Sequence, residues 1–153
     1  MRLPRWPGYD PAVKLLPPID LDLEALVEQL WRMPGLQAAW LFGSRARGQA
    51  RPTSDIDVGV LIASAEVPTG LAHFGLGADI ASALGLPDGA LDLLELRSTS
   101  PLIAHRVLVE GRLLVDADPT ARVAFQERSL HRFLAARRLR EEAAVARAAR
   151  LRA

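Results

Sequence analysis

The chain contains no cysteine, which excludes disulfides and thiolate metal sites. Half of its residues are hydrophobic, yet no apolar run is long enough to span a bilayer. The opening stretch, MRLPRWPGYDPAVKLLPPID, is broken by prolines and lacks the apolar region of a signal peptide. A cytoplasmic protein with no membrane association is therefore expected. Excess charge is lacking too. Lys+Arg number 19 against 18 Asp+Glu, a net +1, so there is no overall drive towards nucleic acid and no direct nucleic-acid contact is expected. Lysine is almost missing: Lys14 is the only one, and arginine carries the rest of the positive charge.

What remains is a chain of 153 residues, the size of one domain with a real core. It is organised around Leu41 to Ile62, LFGSRARGQARPTSDIDVGVLI. An apolar run, Ala38-Ala39-Trp40-Leu41-Phe42, ends at Gly43-Ser44. An arginine-rich loop follows, then Ser54-Asp55-Ile56-Asp57 leads into a second apolar run. Glycine has no Cβ, so a phosphate can approach its backbone closely. Ser44 is expected to cap a short helix, whose free N-terminal amides attract anions. Asp55 and Asp57 lie two apart on a strand, so both carboxylates share one face, with Ile56, Val58 and Val60 on the other. Paired carboxylates on a buried strand call for a cation, and Mg²⁺ is commonly held by one or two carboxylates plus substrate phosphates. Asp-x-Asp alone is usually a cap or a solvated loop, and Gly-Ser alone is a turn. Their combination at this spacing, between two strand-like runs, is what points to chemistry.

Residues 1–19 read as an extended, proline-rich arm that Trp6 and Tyr9 pin by packing. Asp20 or Asp22 caps a first helix, with Glu24 in its first turn and a stripe of Leu23, Leu26, Val27, Leu30 and Trp31. Pro34-Gly35 stops it, and a strand over about 36–42 follows. Arg45, Arg47 and Arg51 stand in the loop, where guanidinium groups suit triphosphate oxygens. The second strand covers about 55–62. Pro68-Thr69-Gly70 starts a helix with Leu71, Phe74, Ile80 and Leu84 inward, and His73 is read as structural. A turn at 85–89 leads to a third strand, 90–96. There Asp92, between Leu91 and Leu93, is costly to bury unpaired. If this strand lies beside the second, Asp92 joins Asp55 and Asp57 as a third ligand or as a base. Glu95 is expected on the opposite face, exposed. Thr99 or Ser100 caps a helix with Pro101 at its first position and Leu102, Ile103, Val107 and Leu108 as its apolar face, ended by Gly111. A short strand, 112–115, precedes a long helix opened by Asp118-Pro119. Its early apolar positions are Val123, Phe125, Leu130, Phe133 and Leu134, and its end turns arginine-rich.

With LFGSRARG, SDIDVGVL and LDLLELRSTSPLIAHRVLVEGRLLVD in view, the chain resembles the minimal nucleotidyltransferases of the DNA polymerase β superfamily. It is most similar to the antitoxins of HEPN/MNT toxin–antitoxin systems. The resemblance covers residues 36 to about 133. It implies an α/β fold of the α+β kind: a small mixed sheet with helices packed on it and a long C-terminal helix. The transferase domain would cover 20–134, with an N-terminal arm at 1–19 and an arginine-rich helix end at 135–153. By position, Gly43 and Ser44 match the nucleotide-binding signature, with Arg45, Arg47 and Ser54 beside it. Asp55 and Asp57 match the metal ligands, and Asp92 the third catalytic carboxylate. The implied reaction is Mg²⁺-dependent transfer of AMP from ATP to a tyrosine of a cognate HEPN ribonuclease toxin, in a hetero-oligomeric complex. An antitoxin acting by binding alone, or a transferase for a small-molecule hydroxyl, are the competing readings. The Arg-x(4–6)-His spacing of the ribonucleases themselves is not met by Arg97/His105, Arg122/His131 or Arg128/His131, so the chain does not read as the toxin.

Overall fold

A computed structural model describes residues 19–64 and 71–152, with side chains 71–74 left aside. The proline-rich arm with Trp6 and Tyr9, the Pro68-Thr69-Gly70 helix start, and the expected roles of Leu71, His73 and Phe74 lie outside the described residues. The elements are α1 (Leu23–Trp31), β1 (Leu36–Phe42), α2 (Gly43–Ala46), β2 (Ile56–Ile62), α3 (Leu71–Ala83), β3 (Leu91–Glu95), α4 (Pro101–Glu110), β4 (Arg112–Asp116) and α5 (Pro119–Arg152). The four strands form one sheet in the order β3-β2-β1-β4. β1 runs antiparallel to β2 and β4, whereas β2 and β3 are parallel and joined through α3. The mixed sheet with packed helices and a long C-terminal helix is as expected.

Local signals set the helix starts. Asp22 caps α1, accepting the Ala25 amide at 3.0 Å. Ser100 caps α4 through the Ile103 amide at 3.3 Å, with Pro101 at the first position. The Asp118 carboxylate accepts the Ala121 amide at 2.9 Å and opens α5. Each cap satisfies an amide that the helix leaves without an internal acceptor.

Strand alternation divides the core into two layers. Ile56, Val58, Val60 and Ile62 of β2 point towards α1 and α3, among Leu26, Leu30, Ile80, Leu91 and Leu93. The other layer holds Ala38, Trp40, Leu61 and Leu96 under Val107 of α4 and Phe125 of α5. Gly59 sits at the centre of this second face. A Cβ there would stand 2.7 Å from Val107 Cγ1, so the missing side chain is what lets α4 lie close on β2.

Several expected core positions fall elsewhere. Trp31 is exposed, because Leu26 and Leu30, four apart, already form the inward stripe of α1. On α4, Leu102 and Ile103 are exposed while Ala104 and Val107 are buried. On α5, Val123, Leu130 and Leu134 are exposed, and the inward pair is Phe125 and Ser129. In each helix the apolar residues outnumber the positions facing the sheet, and only the docking angle selects among them. Glu95 is the reverse case. It lies opposite to Asp92 in the alternation, as expected, but is buried rather than exposed. β3 ends there, and Glu95 Oε2 accepts the Ser98 amide at 2.8 Å in the turn that follows.

Candidate active site

The sheet register gathers the residues that the sequence separates. Phe42 stands opposite Asp57, so the turn after β1 is delivered to the start of β2. Asp57 stands opposite Asp92 across the parallel β2/β3 pair. Asp55 and Asp57, two apart, project to the same side. Asp55 and Asp92 are exposed, and Asp57 is half-buried between them. The three carboxylates are neighbours without being a closed shell: among the described residues, no three acidic or histidine side chains already converge as a ligand set for a metal ion.

Their mutual field is nonetheless visible at Asp57. Burial raises its pKa above the ordinary 3.8, and the negative charges of Asp92 and Asp55 raise it further, while Arg47 and Arg45 act in the opposite sense. A half-buried carboxylate flanked by two others is a place that favours an added positive charge. Hard oxygen donors of this kind fit a cation such as Mg²⁺.

Gly43 carries a second constraint. Its φ is +70°, in the left-handed region. A Cβ at this position would collide with Asp57 Oδ2 and lie 3.1 Å from Asp57 Cγ. The absent side chain is thus used first by the protein itself, which seats the Asp57 carboxylate against the Gly43 backbone. Helix α2 starts at Gly43 directly off the strand, so the N-cap is Phe42, which offers no side-chain bond. Ser44 is therefore inside the helical turn and not its cap as expected, because the left-handed glycine leaves no extra residue between strand and helix.

The loop arginines divide by function. Arg45 Nε and Nη2 donate to the Ser54 carbonyl at 3.1 and 2.8 Å, and Nη2 reaches the Ile19 carbonyl at 3.3 Å. This guanidinium ties the loop to the chain before α1. Ser54 Oγ accepts the Arg51 amide at 2.9 Å and closes the loop from within. Arg47 faces the other way, 3.6 Å from Glu110 of α4. With Gly43, Phe42, Ile103 and Arg106 it lines a cavity of about 240 Å³ between α2 and α4. Glu110 and Arg106 escape sequence reasoning because nothing local marks them. They meet the loop only through the packing of α4 on the sheet.

Residues 24–120 match the family described as Polymerase beta, Nucleotidyltransferase. The chain belongs to the polymerase β nucleotidyltransferases. The matched span contains every residue of the candidate site and ends at the first turn of α5. Two curated relatives are similar to this nucleotidyltransferase. Protein adenylyltransferase MntA of Shewanella oneidensis is 38% identical over 82 residues, 54% of this chain and 55% of that protein. Protein adenylyltransferase MntA of Aphanizomenon flos-aquae is 30% identical over 112 residues, 70% of this chain and 75% of that protein. The nucleotidyltransferase thus spans about half the length of the first relative and three quarters of the second. Among solved structures, a crystal structure of a toxin–antitoxin with AMP-PNP matches with a TM-score of 0.69 at 28% identity, covering 80% of this chain and 94% of that one.

Proposed function

We propose that this nucleotidyltransferase is an antitoxin that transfers AMP from ATP to a hydroxyl, a tyrosine of a cognate HEPN ribonuclease toxin, and so silences it. The observation that carries the reading is the Asp57 carboxylate, half-buried between two like charges and pressed against the Gly43 backbone. Such a site suits a cation and a phosphate chain together. Similarity to proteins named protein adenylyltransferase, and to a toxin–antitoxin structure with an ATP analogue, supports the donor and the acceptor class. Exposed apolar side chains on α4 and α5, including Leu102, Val109, Leu130 and Leu134, support a protein acceptor over a small molecule.

In this reading Asp55, Asp57 and Asp92 would hold Mg²⁺, which would supply positive charge to offset that of the phosphates. Ser44, Arg47 and the free amides at the start of α2 bind the β- and γ-phosphates. Arg45 and Ser54 act on the nucleotide by fixing the loop that carries these donors. The acceptor oxygen attacks the α-phosphorus in line, the bond to the bridging oxygen breaks, and pyrophosphate leaves. A tyrosine hydroxyl has an unperturbed pKa of about 10, so its proton must be taken up, and Asp92 is assigned that role. Transfer belongs to residues 20–134, and the helix end, 135–153, is assigned to the partner. Among the described residues no helix is long and apolar enough to cross a membrane. The proposed location is the cytoplasm, beside ATP and the toxin. Incubation with α-labelled ATP and the toxin tests the reading: label should pass to the toxin with Mg²⁺ and not with EDTA. Tight toxin binding without any label transfer would replace the enzyme by a binding antitoxin.

A further inference from the structure

At the far end of the sheet from the carboxylates lies a second cavity, of about 140 Å³. It is lined by Arg97, which follows β3, by Pro101 and Ala104 at the start of α4, and by Phe125, Arg128, Ser129 and Arg132 of α5. Arg97 marks its position: its Nε donates to the Ile62 carbonyl and its Nη2 to Gln37, both at 2.8 Å. Ile62 is five residues along β2 from Asp57, roughly 17 Å for an extended strand.

Three features of this cavity lack an internal explanation. First, among the described residues Arg128 and Arg132 of α5 form no ion pair, although Arg122, Arg137 and Arg138 on the same helix each hold a carboxylate; Arg97, fixed by Ile62 and Gln37, lies over the Phe125 ring beside them. Second, Arg128 and Arg132 are four apart, a like-charge spacing that opposes the helix unless an anion lies between them. Farther along α5 the same spacing is used to pair Arg137 with Glu141 and Arg138 with Glu142. Third, Ser129 between them is 4% exposed and its Oγ has no hydrogen-bond partner among the described residues. A buried hydroxyl without a partner is costly, and most such groups in folded proteins are satisfied. The start of α4 adds the positive end of a helix dipole to the same cavity.

We propose that this cavity is a binding site for a phosphate-class oxyanion, held by Arg97, Arg128 and Arg132 over the Ser129 hydroxyl. Guanidinium forks match phosphate oxygens, and the hydroxyl supplies the donor that carboxylate-paired arginines would not need. The volume is well below the ~300–1,000 Å³ of sites that enclose a drug-sized ligand, so a single phosphate group fits and a whole nucleoside does not. That group is either the free ion or the exposed phosphate of a nucleotide. The site is independent of the transfer reaction.

The test is calorimetric titration of the full, metal-free chain with sodium phosphate at constant ionic strength. One site is expected. The double variant Arg128→Ala/Arg132→Ala alters exposed side chains and should keep the wild-type melting temperature while binding phosphate at least about tenfold more weakly. Arg47→Ala, at the other end of the sheet, should leave phosphate affinity unchanged. Competition by AMP supports a nucleotide phosphate as the source, and its failure supports the free ion. Wild-type phosphate affinity in the Arg128/Arg132 variant overturns the site, as does the absence of any phosphate binding. Loss of binding in Arg47→Ala with retention in the double variant also overturns it, by assigning the ion to the loop after β1.

Discussion

Three side chains around β2 have separable roles, and substitutions should separate them. Asp57→Asn is nearly isosteric but removes a charge that a cation needs. AMP transfer is expected to fall at least about a hundredfold, read by label transfer from ATP to the toxin. The same change should not weaken the metal-free fold. Because the folded pKa of Asp57 lies above its unfolded value, its contribution is fully present below the unfolded pKa and is lost as pH rises through the folded one. Above that window the ionised carboxylate disfavours the fold, and asparagine lifts the penalty. Denaturation of metal-free protein should therefore show Asp57→Asn at least as stable as wild type at pH 7, with the difference shrinking in acid. A variant distinctly less stable at pH 7 would contradict the like-charge account. Arg45 and Arg47 provide the second separation. Arg45→Ala loses bonds to the Ser54 and Ile19 carbonyls and should cost about 1 kcal/mol of stability. Arg47→Ala should barely move stability and instead raise KM for ATP. Reversal of that pattern would exchange their roles. Gly43→Ala should be harsher than either: the left-handed backbone alone costs a residue with a Cβ about 1–2 kcal/mol, and the Asp57 carboxylate occupies the space the methyl needs.

At the scale of elements, α5 is the one whose ends differ. Its first turns carry Phe125 and Ser129 into the core, whereas Leu139, Val145 and Leu151 are all exposed. The helix runs on to Arg152, supported by the pairs Arg137–Glu141 and Arg138–Glu142, which stabilise an exposed helix by only about 0.2–0.5 kcal/mol each. An arginine-rich end that touches no core fits long-range attraction to an acidic partner surface. Truncation after Ala136 is expected to leave ATP binding intact, since every candidate site residue precedes α5. Association with the toxin should slow several-fold at low salt and converge with wild type at high salt, where screening acts over about 8–10 Å or less. An on-rate independent of the truncation at low salt would reduce the segment to a solvated helix end.

At the scale of the whole molecule, the proposed function couples metal and nucleotide through the carboxylates gathered on β2 and β3. ATP should bind metal-free protein weakly and Mg²⁺-loaded protein tightly, because the carboxylates repel a triphosphate until a cation intervenes. Titrations with Mg²⁺ and with EDTA measure this, and equal affinity in the two would remove the metal from the reading.

The local signals were legible in the sequence alone. The candidates Gly43, Asp55, Asp57 and Asp92, the helix starts near Asp22, Ser100 and Asp118, and the alternation of β2 follow from residue types and spacings, because turns, caps and strand faces depend on neighbours in the chain; the choice of Asp22 over Asp20 and of Ser100 over Thr99 came from the structure. Only the tertiary structure decided the rest. The exposure of Trp31, Leu102, Leu130 and Leu134 depends on how each helix rotates onto the sheet, which helical period alone leaves open. The burial of Glu95 depends on the turn after β3. The capture of Arg45 by the Ile19 carbonyl and the approach of Glu110 to Arg47 join segments 26 and 63 residues apart (45 − 19 and 110 − 47). The sheet register that sets Asp92 opposite Asp57, and the collision that makes Gly43 obligatory beside it, are likewise contacts between distant segments. Residue type carries a preference for a neighbour's chemistry, but which neighbour arrives is settled by packing.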